Sequence, residues 1–288
     1  MLSLVKRYHP ITGDPFRRDE TYWELPPCTA LAPYIRCFWG TLHPVGAEAL
    51  PGTDARQGLV IPDTCMDIIF DIDYTNNTYT SAFCTLDEHS YRTGSTNGIP
   101  CLTATFAIRF YAWTASLFAD WDFHGSKNGC FDPREMFGDL VATLEPRLFS
   151  EPTLTGKAAV AEAVLLGQLN GIQPDCDLLN AVHFLLQSEG RARIGEVTEY
   201  AAVSPRRMER LFQQHMGLSP KSFASLVRYQ LLWQEIASRP RFSVLDAVAR
   251  FGYTDQAHLL NDFRRRHLMT PAQALRFAGI GQGNGLPR

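Results

Sequence analysis

Short runs of β-branched and aromatic residues, separated by Gly, Pro, Asn and Asp, dominate the first 110 positions of the chain. This pattern predicts strands joined by turns, over residues 33–40, 57–62, 66–73, 78–86 and 102–110. The third run, "MDIIFDID", is apolar at every second position from Met66, with Asp67, Asp71 and Asp73 between. A period of two predicts that the apolar face is buried and that the carboxylates face solvent. A cation held by these aspartates is the alternative.

From about residue 111 the apolar positions take helical spacing, over residues 111–121, 133–149 and 156–171. Gly171 and Pro174 are signals that end a helix, and after them every segment has helical character, the first with Asp177 as its predicted cap. A chain of this length favours two domains. We therefore predict an α+β front domain, β-rich with a cupin-like barrel as one form and followed by helices, over residues 1–172. An all-α domain is predicted over residues 177–280.

The all-α region contains an internal repeat with an offset of 51 residues. "MERLFQQHMGLSP" (residues 208–220) matches "LLNDFRRRHLMTP" (residues 259–271), and the final Ser-Pro and Thr-Pro pairs are in register. A fixed offset with matched apolar and cap positions indicates a structural repeat. Each unit is predicted as a helix, a short turn and a second helix that carries polar and basic residues. The two units are expected at about residues 194–216 and 244–267.

This outline is that of a helix-turn-helix, in which the second helix enters the major groove of DNA. The segment between the units has roughly 20 residues, which at about 1.5 Å each form a rod of about 30 Å. One turn of DNA is about 34 Å, the distance between successive major-groove segments on one face. A single chain can therefore place two reading helices one turn apart, as a dimer of single motifs usually does.

Charge is distributed unevenly along the chain, whose formal net charge is −3. Residues 177–288 contain 15 Lys and Arg against 9 Asp and Glu, whereas residues 1–176 contain 12 against 21. The resulting net charges of +6 and −9 predict that only the helical half meets a polyanion. Lys221 is the one lysine among those 15 cations, and arginine suits phosphates and guanine edges.

The segments "VSPRRMERLFQQHMGLSPKSFASLVRYQLLWQEI" and "VLDAVARFGYTDQAHLLNDFRRRHLMTPAQALR" resemble the DNA-binding domain of AraC/XylS-type bacterial transcription regulators. The match has both motifs in order and is densest at the Gly-Tyr-x-Asp-Gln-x-His stretch. The resemblance implies a cytoplasmic regulator, such as an activator, that binds double-stranded DNA and acts on RNA polymerase. It also implies a variable front domain that binds a small effector or forms a homodimer.

Carried over by position, the resemblance assigns base contacts to eight residues of the two reading helices: Arg206, Arg207, Glu209, Arg210, Gln256, Ala257, His258 and Asn261. Phosphate contacts are expected at Ser204, Ser219, Lys221, Arg264 and Arg265, and at the last arginine of that run, Arg266. An alternative for Glu209 is that it orients a neighbouring arginine by helical spacing instead of contacting cytosine.

Two positions depart from the family pattern. Leu268 stands where the family usually has glycine, which predicts a turn that differs in detail from the first one. Asn261 stands where arginine is frequent, and asparagine pairs with adenine whereas arginine favours guanine. The second half-site is therefore expected to be read differently or more weakly.

The front half weakly resembles a regulator subgroup with Pro-Asp-Gly and Arg-Phe-x-Pro signatures, here residues 62–64 and 109–111. Its many aromatic residues predict a lined cavity for an aromatic or cationic effector, with Arg109 or Asp67 as the polar anchor. The residues expected at this site are Trp39, Asp67, Phe70, Arg109, Phe110, Trp113 and Trp121. The alternative is that these aromatic side chains simply form the core.

The seven cysteines are odd in number, far apart and without a C-x-x-C pair, which argues against a zinc site and a disulfide framework. We expect buried, reduced thiols, no metal and no cofactor. No G-x-S-x-G, H-E-x-x-H or P-loop pattern occurs, so the chain is not expected to be an enzyme. The alternatives are an enzyme or thiol-reactive sensor fused to a DNA-binding module, and a constitutive architectural DNA binder.

The apolar segments are too short to cross a bilayer, since no run of about 18 apolar residues occurs. The start, "MLSLVKRYHP", lacks a long apolar stretch before a cleavage site, so no signal peptide is predicted. Both observations agree with the cytoplasmic localisation and predict no contact with a membrane.

Overall fold

The computed structural model describes residues 8–11, 22–43, 59–92, 103–238 and 242–278 of the chain. The strands of the front half are β1 (Tyr22–Leu25), β2 (Ile35–His43), β3 (Leu59–Val60), β4 (Cys65–Asp73), β5 (Thr78–Cys84), β6 (Tyr91–Arg92), β7 (Thr103–Tyr111) and β8 (Cys130–Phe131). Six of them form an antiparallel sheet in the order β1-β2-β7-β4-β5-β8, and β3 pairs with β6. Within the described residues the six-stranded sheet is open at β1 and β8 and is not a closed barrel.

The long central strands β4 and β7 hold the sheet together because their alternating apolar side chains are buried on one face. Ile68 and Ile108 lie opposite each other and are both fully buried. On the other face Asp71 is exposed, as its strand pattern predicts. Asp67 is buried instead, because it lies opposite Arg109 and forms an ion pair with it. The predicted solvent exposure is therefore wrong for Asp67.

The predicted helix over residues 111–121 is also wrong, since the structure has only a 3₁₀ turn at Ala115–Leu117 there. The Thr114 hydroxyl donates hydrogen bonds to the carbonyl oxygens of Tyr34 (2.6 Å) and Tyr111 (2.8 Å). A threonine that bonds to nearby carbonyls in this way stabilises a turn in competition with a helix. The chain consequently leaves the sheet in a loop, residues 112–129, which returns to it at β8.

Nine helices follow within the described residues, and most begin where the sequence places a cap. They are α1 (Pro133–Ser150), α2 (Leu154–Gln168), α3 (Cys176–Gln187), α4 (Ile194–Tyr200), α5 (Pro205–Met216), α6 (Pro220–Ser238), α7 (Val244–Phe251), α8 (Gln256–His267) and α9 (Pro271–Phe277). The side chains of Ser204, Ser243, Asp255 and Thr270 accept the predicted capping hydrogen bonds. For α3 the cap is Asp175 rather than Asp177, so that helix begins earlier than predicted.

The front half and the helical half share one hydrophobic core. The link is α6, where the fully buried Gln230 donates a hydrogen bond to the carbonyl of Pro62 (2.6 Å) and accepts one from the backbone of Ile11 (2.7 Å). Nearby, the rings of Trp113 and Phe223 pack edge to face. The order of a β-rich region followed by helices confirms the predicted fold class. The division at residues 172–177 stays a prediction, because the core is continuous across it.

Candidate nucleic-acid interface

The two predicted reading helices, α5 and α8, have the same length and the same ends. Each has 12 residues, and α5 begins after the cap Ser204 as α8 begins after the cap Asp255. Each ends at a residue in the left-handed conformation, Gly217 (φ 68°) or Leu268 (φ 61°). The prediction that the turn at Leu268 differs is therefore wrong, since the leucine adopts the conformation that glycine has in the first unit.

Both reading helices are fixed by apolar residues that pack on α6. Phe212 of α5 lies edge to face with Phe223, with 5.8 Å between ring centres. Phe263 of α8 lies 5.8 Å from Trp233 with the two rings tilted by 54°, and all four rings are fully buried. The helix α6 is 19 residues long and therefore measures about 28 Å at about 1.5 Å per residue. That length approaches the repeat of about 34 Å between major-groove segments.

The outward face of α5 carries the four residues assigned to bases, Arg206, Arg207, Glu209 and Arg210, and all four are exposed. Arg207 is held at the start of α3, with its Nε 2.8 Å from a carboxylate oxygen of Asp177. Glu209 accepts a hydrogen bond from the Gln213 amide and forms no ion pair with Arg206 or Arg210 within the described part of the chain. These two arginines are therefore the cations of α5 that are available to a ligand.

The outward face of α8 carries the other four, Gln256, Ala257, His258 and Asn261, which are exposed as well. The His258 backbone N–H donates to the carboxylate of Asp255, and its ring lies edge to face with Tyr253 at 5.2 Å. This surface offers amide and imidazole groups where α5 offers guanidinium groups. The two reading helices therefore present different chemistry on equal scaffolds.

The candidate phosphate contacts lie around the two helices. Lys221, Arg264 and Arg265 are exposed, although Arg265 also pairs with Asp262 at 3.1 Å. The Ser204 and Ser219 hydroxyls accept hydrogen bonds from backbone N–H groups at the starts of α5 and α6. Helix starts of this kind are suited to phosphate oxygens.

Arg266 does not belong to this surface, and its predicted phosphate contact is wrong. It is 1% exposed, and its guanidinium donates to the Ser225 hydroxyl (2.9 Å) and points at the carbonyl of Glu88 (3.4 Å). Burial lowers the pKa of this side chain. The helical period explains the burial, because Arg266 follows the core residue Phe263 by three positions and shares its face.

Comparison with known families supports the interpretation of α5 and α8 as parts of a DNA-binding domain. Residues 197–276 match a family described as a helix-turn-helix domain. This region is an AraC-type helix-turn-helix domain. Residues 23–132 match a family described only as a domain of unknown function (DUF6597). The predicted resemblance of the helical half is thus confirmed.

An uncharacterized HTH-type transcriptional regulator of Haemophilus influenzae is 30% identical to this chain over 92 residues, which are 32% of this chain and 30% of that protein. The chain thus spans less than a third of the length of that curated relative. Two structures of ToxT from Vibrio cholerae match at TM-scores of 0.37 and 0.39 with 10% and 9% identity. They cover 90% and 91% of this chain and 96% of each ToxT chain. TM-scores this low do not establish a common fold.

The loop at residues 112–129 contacts the first reading helix of the AraC-type domain. The Phe123 backbone N–H donates to the carbonyl of Gln214 (2.9 Å), and the Ser116 hydroxyl is hydrogen-bonded to Nδ1 of His215 (2.7 Å). Burial lowers the pKa of His215. Neither contact has a signal in the sequence, because the loop and α5 are almost a hundred positions apart.

The loop at residues 85–90 contacts the second reading helix in a comparable way. The Ser90 backbone N–H donates to the carbonyl of Arg266 (2.7 Å), and Nδ1 of His89 lies 2.9 Å from the carbonyl of Arg265. Both contacts are at the C-terminal end of α8, away from Gln256 and Asn261. The front half therefore positions both reading helices of the AraC-type domain while their assigned base contacts stay exposed.

An open cleft of about 690 Å³ lies between the loop at residues 112–129 and the AraC-type domain. Its lining residues are Asp122, His124, Ser204, Arg206, Arg207, Glu209, Arg210, Gln213 and Gln214. The cleft therefore contains every residue of α5 that is assigned to bases. Because Asp122 brings a carboxylate to this cluster of arginines, the front half contributes charge as well as shape to the surface.

The candidate effector residues divide into three environments. Asp67 and Arg109 form a buried pair with 2.7 Å between their nearest atoms, and the Trp39 indole N–H donates to Asp67 (2.8 Å). Arg109 also lies 3.3 Å from Asp63, whose pKa burial raises to about 7 despite this neighbour. The polar anchor groups therefore already neutralise each other.

The aromatic candidates are not brought together around this pair. Phe70, Phe110 and Trp113 are fully packed in the core, whereas Trp121 is 45% exposed on the loop at residues 112–129. None of the predicted effector residues lines the cleft beside α5. The effector site of the front half stays a prediction.

No helix among the described residues has both the length and the apolar character needed to cross a membrane. No group of three or more His, Cys, Asp or Glu side chains within the same residues is arranged to hold a metal ion.

Proposed function

We propose that the chain is a sequence-specific transcription regulator in which α5 and α8 enter two successive major-groove segments of DNA. One observation carries the proposal: two helices of equal length, each with an exposed polar face, are mounted on one buried helix of 19 residues. The net charge of +6 on residues 177–288 supplies the attraction to a polyanion. The identity of the region as an AraC-type helix-turn-helix domain supports the same function.

The chemistry of the two faces predicts which bases each helix reads. Arg206 and Arg210 suit the two acceptors on guanine, whereas Gln256 and Asn261 suit the acceptor and donor on adenine. Lys221, Arg264 and the other cations around them would then neutralise phosphates and set the register. The two helices have the same geometry. The difference between the bases that α8 reads and those that α5 reads therefore comes from their side chains.

The test is selection of bound duplexes from a randomised library by the full-length chain at about 150 mM salt, where non-specific binding is weakened. We expect an asymmetric motif with two blocks about 10 base pairs apart. One block should be rich in guanine and the other in adenine. Recovery of sequences without any preference would contradict the proposal.

Paired variants distinguish the two blocks. Replacing Arg206 and Arg210 by alanine should abolish preference in the guanine-rich block and leave the other block unchanged. Replacing Gln256 and Asn261 by alanine should do the reverse. Arg147→Ala is the control, because it removes an exposed arginine of α1, outside both reading helices. Loss of both blocks in either pair would mean that the two helices do not read independently.

The proposal includes a front half that binds a small-molecule effector, aromatic or cationic, and so controls the reading helices. Its support is the direct contact of two front-half loops with α5 and α8. An effector anchored at Asp67 or Arg109 must open their buried ion pair, which costs free energy unless the ligand replaces the lost contacts. Thermal shifts against aromatic acids and organic cations, with Trp39→Ala as the comparison, test this site.

The AraC type of the helical half also supports two protein partners, RNA polymerase and a second copy of the chain. Light scattering with and without the selected duplex tests the homodimer. Transcription from a promoter carrying the selected motif, with purified polymerase, tests whether the bound chain activates, represses or does neither.

A further inference from the structure

Cys84 and Cys130, which are 46 positions apart in the sequence, face each other across two neighbouring strands. Cys84 ends β5, Cys130 begins β8, and the two are register partners with 2.8 Å between their sulfur atoms. The next pair along the ladder, Thr85 and Gly129, is joined by a backbone hydrogen bond. Because bonded and non-bonded pairs alternate in an antiparallel ladder, the cysteines form a non-hydrogen-bonded pair, in which side chains lie closest.

This placement meets the geometric conditions for a disulfide. The Cα atoms of a non-hydrogen-bonded pair are about 4.5 Å apart, within the range of about 4.4–6.8 Å that disulfides span. The two sulfurs would have to approach by less than about 1 Å to reach the bond length of about 2.05 Å. The strands that carry them would not have to move apart or slide.

The pair is also open to reagents, unlike the cysteines of the core. Cys130 is exposed and Cys84 is partly exposed, whereas Cys37 and Cys65 are buried. The contact between the two sulfur atoms lowers the pKa of Cys130 to about 7 and raises that of Cys84. Because the thiolate is the attacking form, an exposed thiol with a lowered pKa is a better nucleophile than an ordinary cysteine. Cys101 lies outside the described residues.

We propose that Cys84 and Cys130 form a modification site that an organic or inorganic hydroperoxide oxidises to a disulfide. This inference goes beyond DNA reading and does not depend on it. The site lies where the loop at residues 85–90 leaves the sheet and the loop at residues 112–129 returns to it, and these are the loops that contact α8 and α5.

The chemistry takes two steps. The Cys130 thiolate attacks the peroxide, takes one oxygen to become a sulfenic acid and releases an alkoxide or hydroxide, which gains a proton from solvent. The Cys84 sulfur then attacks the sulfenic sulfur, its proton leaves with the displaced hydroxide as water, and the disulfide forms. Two thiols are oxidised and one hydroperoxide is reduced to an alcohol or to water, so atoms and electrons balance.

The first test uses the full-length reduced chain treated with hydrogen peroxide and then digested without reductant. We expect a loss of about 2 Da from the intact mass and a peptide pair joined through Cys84 and Cys130, both reversed by dithiothreitol. This measurement needs no variant. A disulfide that joins any other pair, or a stable sulfenic acid at Cys130, would overturn the proposal.

Three variants assign the roles. In Cys84→Ser the reaction should stop at a Cys130 sulfenic acid, which dimedone traps, and in Cys130→Ser the rate of thiol loss should fall by roughly tenfold or more. Cys176→Ser is the matched control, because it removes an exposed cysteine outside the pair and should leave the rate unchanged. An unchanged rate in Cys130→Ser would also overturn the proposal.

Discussion

Replacing Leu268 by glycine should stabilise the chain. Leu268 ends α8 at φ 61° and ψ 7°, and its side chain is 56% exposed. A residue with a Cβ pays a steric cost in this left-handed region that glycine does not pay. Its backbone N–H donates to the carbonyl of Arg264, so the conformation itself closes the helix and persists after substitution.

The expected gain follows from two opposing contributions. The left-handed conformation costs a non-glycine residue about 1–2 kcal/mol, and glycine relieves that cost. The greater conformational entropy of glycine in the unfolded chain lowers the free energy of unfolding by about 0.4–1 kcal/mol. The net increase in the free energy of unfolding is therefore about 0.5–1 kcal/mol, or about 1–4 °C in Tm for a chain of this size.

Two existing glycines with the same backbone conformation calibrate the measurement, which is thermal and urea unfolding followed by circular dichroism. At Gly252 (φ 67°) an added Cβ would meet nothing closer than 3.9 Å, so Gly252→Ala isolates the backbone cost of about 1 kcal/mol. At Gly217 (φ 68°) the Cβ would lie 2.7 Å from the carbonyl oxygen of Phe123. Gly217→Ala should therefore cost more than Gly252→Ala, because a loop must also move.

A lower Tm for Leu268→Gly, together with the expected loss for Gly252→Ala, would refute the stabilisation expected from glycine at position 268. That result would mean that the partly exposed leucine side chain contributes more packing free energy than its backbone conformation costs. Equal costs for the two glycine variants would instead refute the close approach of Phe123 to α5.

Three further predictions concern single side chains. Arg210→Ala should cost about 1–3 kcal/mol of binding to the preferred sequence and relax preference at one position, measured by competition with single-base variants. Lys221→Ala should weaken binding to all sequences alike and reduce the slope of log affinity against log salt by about one. His267 has its pKa lowered to about 4 by burial, below the unfolded value of about 6.5, so its contribution to stability is present above pH 6.5 and lost as pH falls toward 4. Between pH 7.5 and 5, wild type should therefore lose about 2 kcal/mol more than His267→Gln in urea unfolding, and equal losses would contradict the assignment.

The helical half could be predicted almost completely from the sequence because its signals are local. Ser204 and Asp255 cap their helices through backbone groups a few positions away, and the spacing of Phe212 and Phe263 sets which faces are buried. Helical period and capping depend on neighbours within one turn, so a single sequence contains them. Arg266 is the exception: helical spacing places it on the buried face of Phe263, but its charge led to the prediction of a phosphate contact.

The front half was harder to predict because its decisive contacts are distant in sequence. Asp67 looks like an exposed strand residue until Arg109 is known to lie opposite on β7. The contact of Cys84 with Cys130 depends on β8, a strand of two residues that is too short to leave a period. Cross-strand register, which places such pairs, is set by the whole sheet rather than by local pattern.

The differences between the two repeat units follow the surface of the front half. Gly217 faces the carbonyl of Phe123 and has no room for a Cβ, whereas the matching Leu268 is exposed. His215 is hydrogen-bonded to Ser116, whereas the matching Arg266 lies at the carbonyl of Glu88. The two units therefore have similar residues at the positions that form the helices and their caps. They have different residues at the positions where each unit contacts a different front-half loop. Because the front half contacts different residues in the two units, we expect a change in the front half to affect α5 and α8 differently.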